Sequence, residues 1–144
     1  MKRLILMLIL VLTVQSCNDD DPVCGGPCYF DSIPGTALIK QVFGDTISTT
    51  GCANAVFVYF DFTPTDSTAP DKYRFPMWPD TNRKLGVGDG KNPPASWVEA
   101  QKLLEGTEHP CIRLEEIKGT CPPVIYAFPT VDFSTWADHC EWMK

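Results

Sequence analysis

The chain has 144 residues, of which 44% are hydrophobic and 21% are charged, and its formal net charge at pH 7 is −6. This length is typical of one domain, and the hydrophobic fraction is too high for a disordered chain. An acidic surface repels phosphate backbones, so the composition excludes nucleic acid as an expected partner. Thirteen prolines and ten glycines predict many turns and few long helices.

The first sixteen residues have the pattern of a signal peptide. Lys2 and Arg3 form a basic start, and residues 4–12 are an unbroken apolar run. This run is roughly half the length of a membrane-spanning helix, which is typical of the central part of a signal peptide. We therefore expect residues 1–16 to be removed on export, and the loss of their two positive charges would change the net charge from −6 to −8.

Cys17 resembles the lipidated cysteine of bacterial lipoproteins. Residues 14–17, Val-Gln-Ser-Cys, are similar to a lipobox, with a branched apolar residue first and a small residue directly before the cysteine. The acidic segment 18–22, Asn-Asp-Asp-Asp-Pro, resembles the stretch after the lipid cysteine in surface-exported lipoproteins of the Bacteroidota. The resemblance implies that residues 17–23 are a lipidated cysteine and an acidic tether. It also implies an anchor in the outer membrane, with the protein on the cell surface or on the periplasmic face.

Seven cysteines occur in the chain, and six remain if Cys17 carries lipid. An even number can pair completely in an oxidising compartment, so we predict structural disulfides. The predicted disulfide cysteines are Cys24, Cys28, Cys52, Cys111, Cys121 and Cys140. Their pairing stays open, although Cys140 could close back on the region of Cys24 and Cys28. A tight hairpin turn at residues 118–119 would hold Cys111 and Cys121 out of register, so they would need other partners unless the turn is wider.

Alternation of apolar residues predicts strands along most of the chain. In residues 55–63 the clearest strand has Val56, Val58, Phe60 and Phe62 on one apolar face and a mixed second face, which is typical of an interior strand. Residues 111–118 and 121–128 are predicted to form a hairpin, and further strands are expected at residues 36–43, 46–50 and 73–75. One helix is predicted at residues 96–105, where Ser96 and Glu99 would form a capping box.

Several short strands with one short helix and no strand–helix–strand alternation predict a mainly β fold. We expect a small antiparallel β-sandwich, of which an immunoglobulin-like arrangement is one form, stabilised by disulfides. Residues 24–144 are expected to form this single β-rich domain.

The sequence carries no pattern typical of a catalytic, metal or cofactor site. His109 and His139 are the only histidines, and no exposed-serine motif of the hydrolases is present. Among the cysteines only Cys24 and Cys28 are closely spaced, whereas a zinc site needs a second such pair. Asp89 and Asn92 lie in a glycine-rich loop that lacks the full register of a calcium-binding loop. We therefore predict no catalytic residues, no metal and no cofactor.

Trp78 lies between Met77 and Pro79 in a predicted loop and is the candidate ligand platform. The alternative is that the tryptophans fill the core. The expected function is a non-enzymatic accessory lipoprotein, held to the outer membrane by its lipid, that acts as a protein-interaction or structural module and contacts a protein complex or a wall component. Two alternatives stay open: a glycan-binding module that uses exposed aromatic side chains, and a small hydrolase.

Overall fold

The computed structural model of the chain describes residues 27–44 and 52–142. Cys17, Cys24, the predicted signal peptide and the predicted strand at residues 46–50 lie outside the described residues. The strands are β1 Tyr29–Gly44, β2 Val56–Pro64, β3 Arg83–Lys84, β4 Glu108–Lys118 and β5 Val124–Ala127. The helix α1 is Ala95–Ala100, and two 3₁₀ turns are Ala69–Lys72 and Trp136–His139. No helix within the described ranges is long and apolar enough to cross a membrane.

All five strands belong to one antiparallel sheet with the order β3-β2-β1-β4-β5. The first part of β1 pairs with β4 and its later part pairs with β2, and a bulge lies between Ile39 and Gln41. The predicted mainly antiparallel β fold with one short helix is therefore confirmed, as is the interior position of β2. The layer that faces the sheet consists of α1 and the segments around Val87 and Val131, where a sandwich would place a second sheet.

The sheet curls around a core of aromatic and branched side chains. The predicted apolar face of β2 is buried, with Val58 at 0% and Phe60 at 1% exposure. The ring of Phe60 contacts the rings of Tyr126 and Phe128 near β5, at centroid distances of 5.4 and 5.1 Å. Because β1 and β4 lie between β2 and β5, these contacts require strong curvature of the sheet.

The helix is shorter than predicted and is capped differently. Helix α1 ends in a Schellman motif in which Lys102, with a positive φ of 59°, donates its N–H to the Glu99 carbonyl. The next N–H, of Leu103, reaches the Val98 carbonyl, and the Leu103 side chain is fully buried. The predicted capping box is wrong, because Ser96 donates its hydroxyl to the carbonyl of His139.

Residues 73–75 do not form the predicted strand, and β3 was not predicted. The N–H of Arg74 donates to a carboxylate oxygen of Glu115, and the carbonyl of Phe75 accepts from Arg113. Side chains of β4 thus form hydrogen bonds with main-chain groups of residues 74 and 75, which in a sheet would pair with a neighbouring strand.

The predicted hairpin of β4 and β5 is present, with Arg113 opposite Tyr126, so its turn is wider than two residues.

Among the described residues, two disulfides join segments that are distant in sequence. Cys28 pairs with Cys121 across 93 residues, with Cα atoms 6.1 Å apart, and Cys52 pairs with Cys140 across 88 residues, with Cα atoms 5.4 Å apart. The predicted disulfide stabilisation is therefore confirmed for these four cysteines. Cys140 closes on Cys52, which corrects the expectation that it would close on the region of Cys28.

The prediction that Cys111 forms a disulfide is wrong. Its thiol is free and 1% exposed, on the core face of β4 and opposite Gly35 of β1. Burial raises the pKa of this thiol to about 12, which keeps it protonated. Cys111 therefore acts as a small hydrophobic core residue.

Candidate binding groove

An open groove lies between the two edge strands of the sheet, β3 and β5, and we call it the edge groove. It consists of two adjoining cavities of about 210 and 410 Å³. Both cavities are lined by Gly86, Tyr126, Phe128 and Phe133. The smaller cavity adds Phe60 as its floor, and Arg83 and Val124 stand on its two sides. Combined volumes of this order are typical of ligand sites.

The groove exists because the curled sheet does not close. β3 and β5 are the ends of the strand order, and no ladder joins them. The N–H of Glu116 donates to the Pro123 carbonyl at 2.9 Å, so these two residues form a hydrogen-bonded pair of the β4–β5 ladder. Alternation along an antiparallel ladder then directs the main-chain N–H and C=O groups of Val124 and Tyr126 away from β4, towards the free edge.

A guanidinium group without a counter-ion stands in one wall of the groove. The Cζ atom of Arg83 lies 5.2 Å from the ring centroid of Trp78 and 5.4 Å from that of Tyr126. Cation–π contacts hold the group in place. Its Nε atom is buried and has no hydrogen-bond partner, and Arg83 forms no ion pair with any described residue.

A buried charge cluster supports this wall from behind. Arg113 is 0% exposed and forms ion pairs with Asp80 at 2.7 Å and with Glu115 at 2.8 Å. Its guanidinium also donates to the carbonyls of Trp78 and Phe75 at 2.9 and 3.0 Å. A single buried arginine therefore fixes the loop that carries Trp78 onto strand β4.

The same cluster fixes the aromatic ring of Tyr126, which lines the groove. The Tyr126 hydroxyl donates to Asp80 at 2.9 Å and accepts from Arg113 at 2.9 Å. Tyr73 donates its hydroxyl to the second oxygen of Asp80 at 2.7 Å. Burial is the main cause that raises the pKa of Tyr126 to about 12, and burial also raises the pKa of Tyr73. Both phenols are therefore neutral near pH 7 and act as donors.

All four carboxylate oxygens of the cluster are already occupied. Glu115 accepts from Arg113 on one oxygen and from the Arg74 N–H on the other, and Asp80 accepts from Arg113 and the two tyrosine hydroxyls. No ion pair joins Arg83 to Asp80 or Glu115, although the cluster carries one more negative than positive charge.

Trp78, the predicted ligand platform, lies beside the groove. It is partly buried, its carbonyl accepts from Arg113, and its ring packs against Arg83. That it binds a ligand stays a prediction. The sequence alone does not identify Arg83, Tyr126 or Phe128 as site residues, because only the curl of the sheet brings them together. The basic pair Arg83-Lys84 in an acidic chain is the feature of the sequence that could have indicated a binding site here.

The histidines have no carboxylate partner in the described contacts. His109 is buried, and its Nε2 atom lies 3.0 Å from the Thr107 hydroxyl and 3.1 Å from the Lys102 carbonyl. The carbonyl of His139 accepts from the Asn54 side chain at 3.0 Å. No group of three or more His, Cys, Asp or Glu side chains within residues 27–44 and 52–142 is arranged to hold a metal ion.

Comparisons of the chain with protein-family models, with curated proteins and with solved structures find no match. Function must then be argued from the chemistry of the chain's own residues. The edge groove combines a cavity, an unpaired strand edge and an unpaired cation, and this combination makes it the candidate functional site.

Proposed function

We propose that this protein is a membrane-anchored, non-enzymatic accessory module of the cell envelope that holds a partner protein in the edge groove. The observation that carries the proposal is the aromatic groove left open between the edge strands β3 and β5. Exposed strand edges are usually blunted or covered, so an unpaired edge beside an apolar cavity is typical of a binding surface.

An envelope location is consistent with the two disulfides among the described residues. The disulfides Cys28–Cys121 and Cys52–Cys140 would be stable outside the cytoplasm and rare inside it. Lipid on Cys17 would supply the acyl chains for stable anchoring in the outer membrane. Residues 17–23 would then hold the domain within roughly 25 Å of the bilayer, at about 3.3 Å per residue. Intact-mass analysis of the amino terminus tests this anchor, and an unmodified Cys17 would contradict it.

Site-specific photo-cross-linking in native membranes tests the binding site. Ile125 lines the groove and is 36% exposed, whereas Ile117 of β4 is 50% exposed and lies outside the groove lining. A photo-reactive residue at position 125 should cross-link to one envelope protein that mass spectrometry identifies, and the matched residue at position 117 should not. No product at position 125, or the same product at both positions, would contradict the proposal.

Glycan binding is a second candidate because Trp78 is partly exposed and its ring lies against Arg83. Aromatic rings stack on sugars, and a guanidinium can donate to sugar hydroxyls. Binding on a glycan array that Trp78→Ala abolishes would favour this candidate. The matched control is Trp142→Ala, because Trp142 is 54% exposed and packs instead on Trp136. Equal loss in both variants would count against a specific site at Trp78.

A further inference from the structure

We infer that the edge groove takes an extended segment of its partner, which pairs with the free edge of β5 and places a carboxylate side chain on Arg83. This inference rests on the proposed function and adds the chemistry of the partner. Three features of the groove support it: an unpaired strand edge, a guanidinium without a counter-ion, and an apolar floor.

The free edge of β5 is suited to pairing with another strand. The main-chain groups of Val124 and Tyr126 point away from β4, and no described segment pairs with them. Their side chains are held in the core, with Val124 at 5% exposure, so the edge is rigid before any partner binds. An extended peptide that adds to such an edge gains main-chain hydrogen bonds whatever its sequence is.

Arg83 adds the selectivity that main-chain pairing lacks. Its guanidinium forms no ion pair with a described residue, and every oxygen of Asp80 and Glu115 already accepts a hydrogen bond from another group. A carboxylate can accept two parallel hydrogen bonds from a guanidinium, and such a charge-assisted pair is stronger than a neutral hydrogen bond. The rings of Trp78 and Tyr126 already hold the guanidinium in position, so little ordering is needed on binding.

The floor of the groove sets the expected neighbour of that carboxylate. Residues two apart in an extended segment point to the same side. A side chain next to the carboxylate on that side would meet Phe128 and Phe133, which line both cavities. The partner segment should therefore carry Asp or Glu and an apolar residue two positions away.

The local charge fits an acidic segment although the whole chain is acidic. The lining of the two cavities includes Arg83 and Lys84 and no acidic residue. An acidic polysaccharide could also supply a carboxylate, but it has no main-chain donors and acceptors at strand spacing to use the edge of β5. The observations thus favour a protein segment.

Selection of a phage-displayed library of random peptides on the purified chain tests the inference. Enriched peptides should share Asp or Glu with an apolar residue two positions away. Arg83→Gln should weaken their binding by about ten- to hundredfold, which is the range for a hydrogen-bonded charge, and Arg83→Lys should restore part of it. Lys72→Gln is the matched control, because Lys72 is exposed and its partners among the described residues are Asp66 and Thr68.

Two readouts separate a direct contact from damage to the fold. Replacing the peptide acid by its amide should have the same effect as Arg83→Gln, and the two changes together should have no additional effect. Bound peptide should also slow amide hydrogen exchange at Tyr126 by tenfold or more, because strand pairing would engage this N–H.

The inference is overturned if no peptide is enriched, if the enriched peptides lack an acid, or if they bind Arg83→Gln normally. Binding of uronic-acid oligosaccharides in place of peptides would also overturn it. Cross-linking at position 125 decides the proposed function separately: a partner captured there without any enriched peptide would leave the groove as the binding site and remove only the acidic extended segment.

Discussion

Phe60 on β2 and Tyr126 on β5 stack edge to face, with ring centroids 5.4 Å apart and an interplanar angle of 79°. Two further strands, β1 and β4, separate them in the sheet, so this contact measures how far the sheet has curled. The same curl brings the edges β3 and β5 to the two sides of one groove. The curvature of the sheet therefore creates the candidate binding site.

Arg113→Ala should destabilise the protein by roughly 3–5 kcal/mol, because it leaves the carboxylates of Glu115 and Asp80 without their buried cation. Urea unfolding followed by circular dichroism measures this loss. The control is Lys72→Ala, whose ion pair with Asp66 is exposed and should contribute less than about 1 kcal/mol. Similar losses in the two variants would show that the buried cluster does not support the fold.

The contribution of Tyr126 to stability should fall as the pH rises above about 10, the ordinary pKa of a tyrosine. The folded state raises the pKa of Tyr126 to about 12, so it retains a proton that the unfolded chain loses. The contribution of this phenol is therefore fully present below pH 10 and is lost as the pH rises through about 12. Chemical denaturation at a series of pH values should show this decline.

Tyr126→Phe is the control for the pH dependence. It should cost roughly 1–3 kcal/mol at pH 7, since Asp80 loses a buried donor, and it should reduce the decline above pH 10. Part of the decline should remain, because the pKa values of Tyr73 and Cys111 are also raised in the folded protein. An unchanged decline in this variant would mean that Tyr126 does not contribute to the pH dependence.

Gly35→Ala should destabilise the protein by roughly 1–3 kcal/mol, the usual range for overpacking. A Cβ atom at this position would clash with the carbonyl oxygen of Thr63 and with the ring of Phe62. Thermal unfolding measures the change. At Gly44 the same substitution meets no atom within 4 Å and should have an effect below about 0.5 kcal/mol. Equal effects would argue against the close approach of β1 to β2.

Cys111 should resist alkylation in the folded protein and react once the protein is unfolded without reductant. Burial and the raised pKa of about 12 both suppress the thiolate that reacts. Peptide mapping after alkylation in denaturant should find Cys111 modified, and Cys28, Cys52, Cys121 and Cys140 unmodified. Modification of any of these four would contradict the pairing described above.

Local patterns predicted the strands well where one face is buried. The alternation of Val56, Val58 and Phe60 predicted both the strand and its inward face, because period-two burial is a property of the strand itself. The helix ends before the predicted residue 105, because Lys102 adopts a positive φ that is usual for glycine at this position. There, burial of Leu103 in the core outweighed the local preference.

Contacts between distant segments could not be predicted. Cys111 looked like the other cysteines, and only its place opposite Gly35 in the core distinguishes it. Residues 73–75 have strand composition, but the side chains of the buried Arg113 and Glu115 form hydrogen bonds with their main-chain groups in place of a neighbouring strand. The groove likewise depends on the curl that joins Phe60 to Tyr126, which no short stretch of sequence encodes.

Quantitative co-purification from native membranes tests the central claim, that the edge groove with Arg83 is the binding site. The chain, Arg83→Gln and the control Lys72→Gln would be isolated in parallel, and the partner cross-linked at position 125 would be quantified in each. We predict that Arg83→Gln retains less than about one tenth of the partner, consistent with loss of a charge-assisted contact, and that Lys72→Gln retains all of it. Equal recovery of the partner with Arg83→Gln and with the unchanged chain would contradict the account.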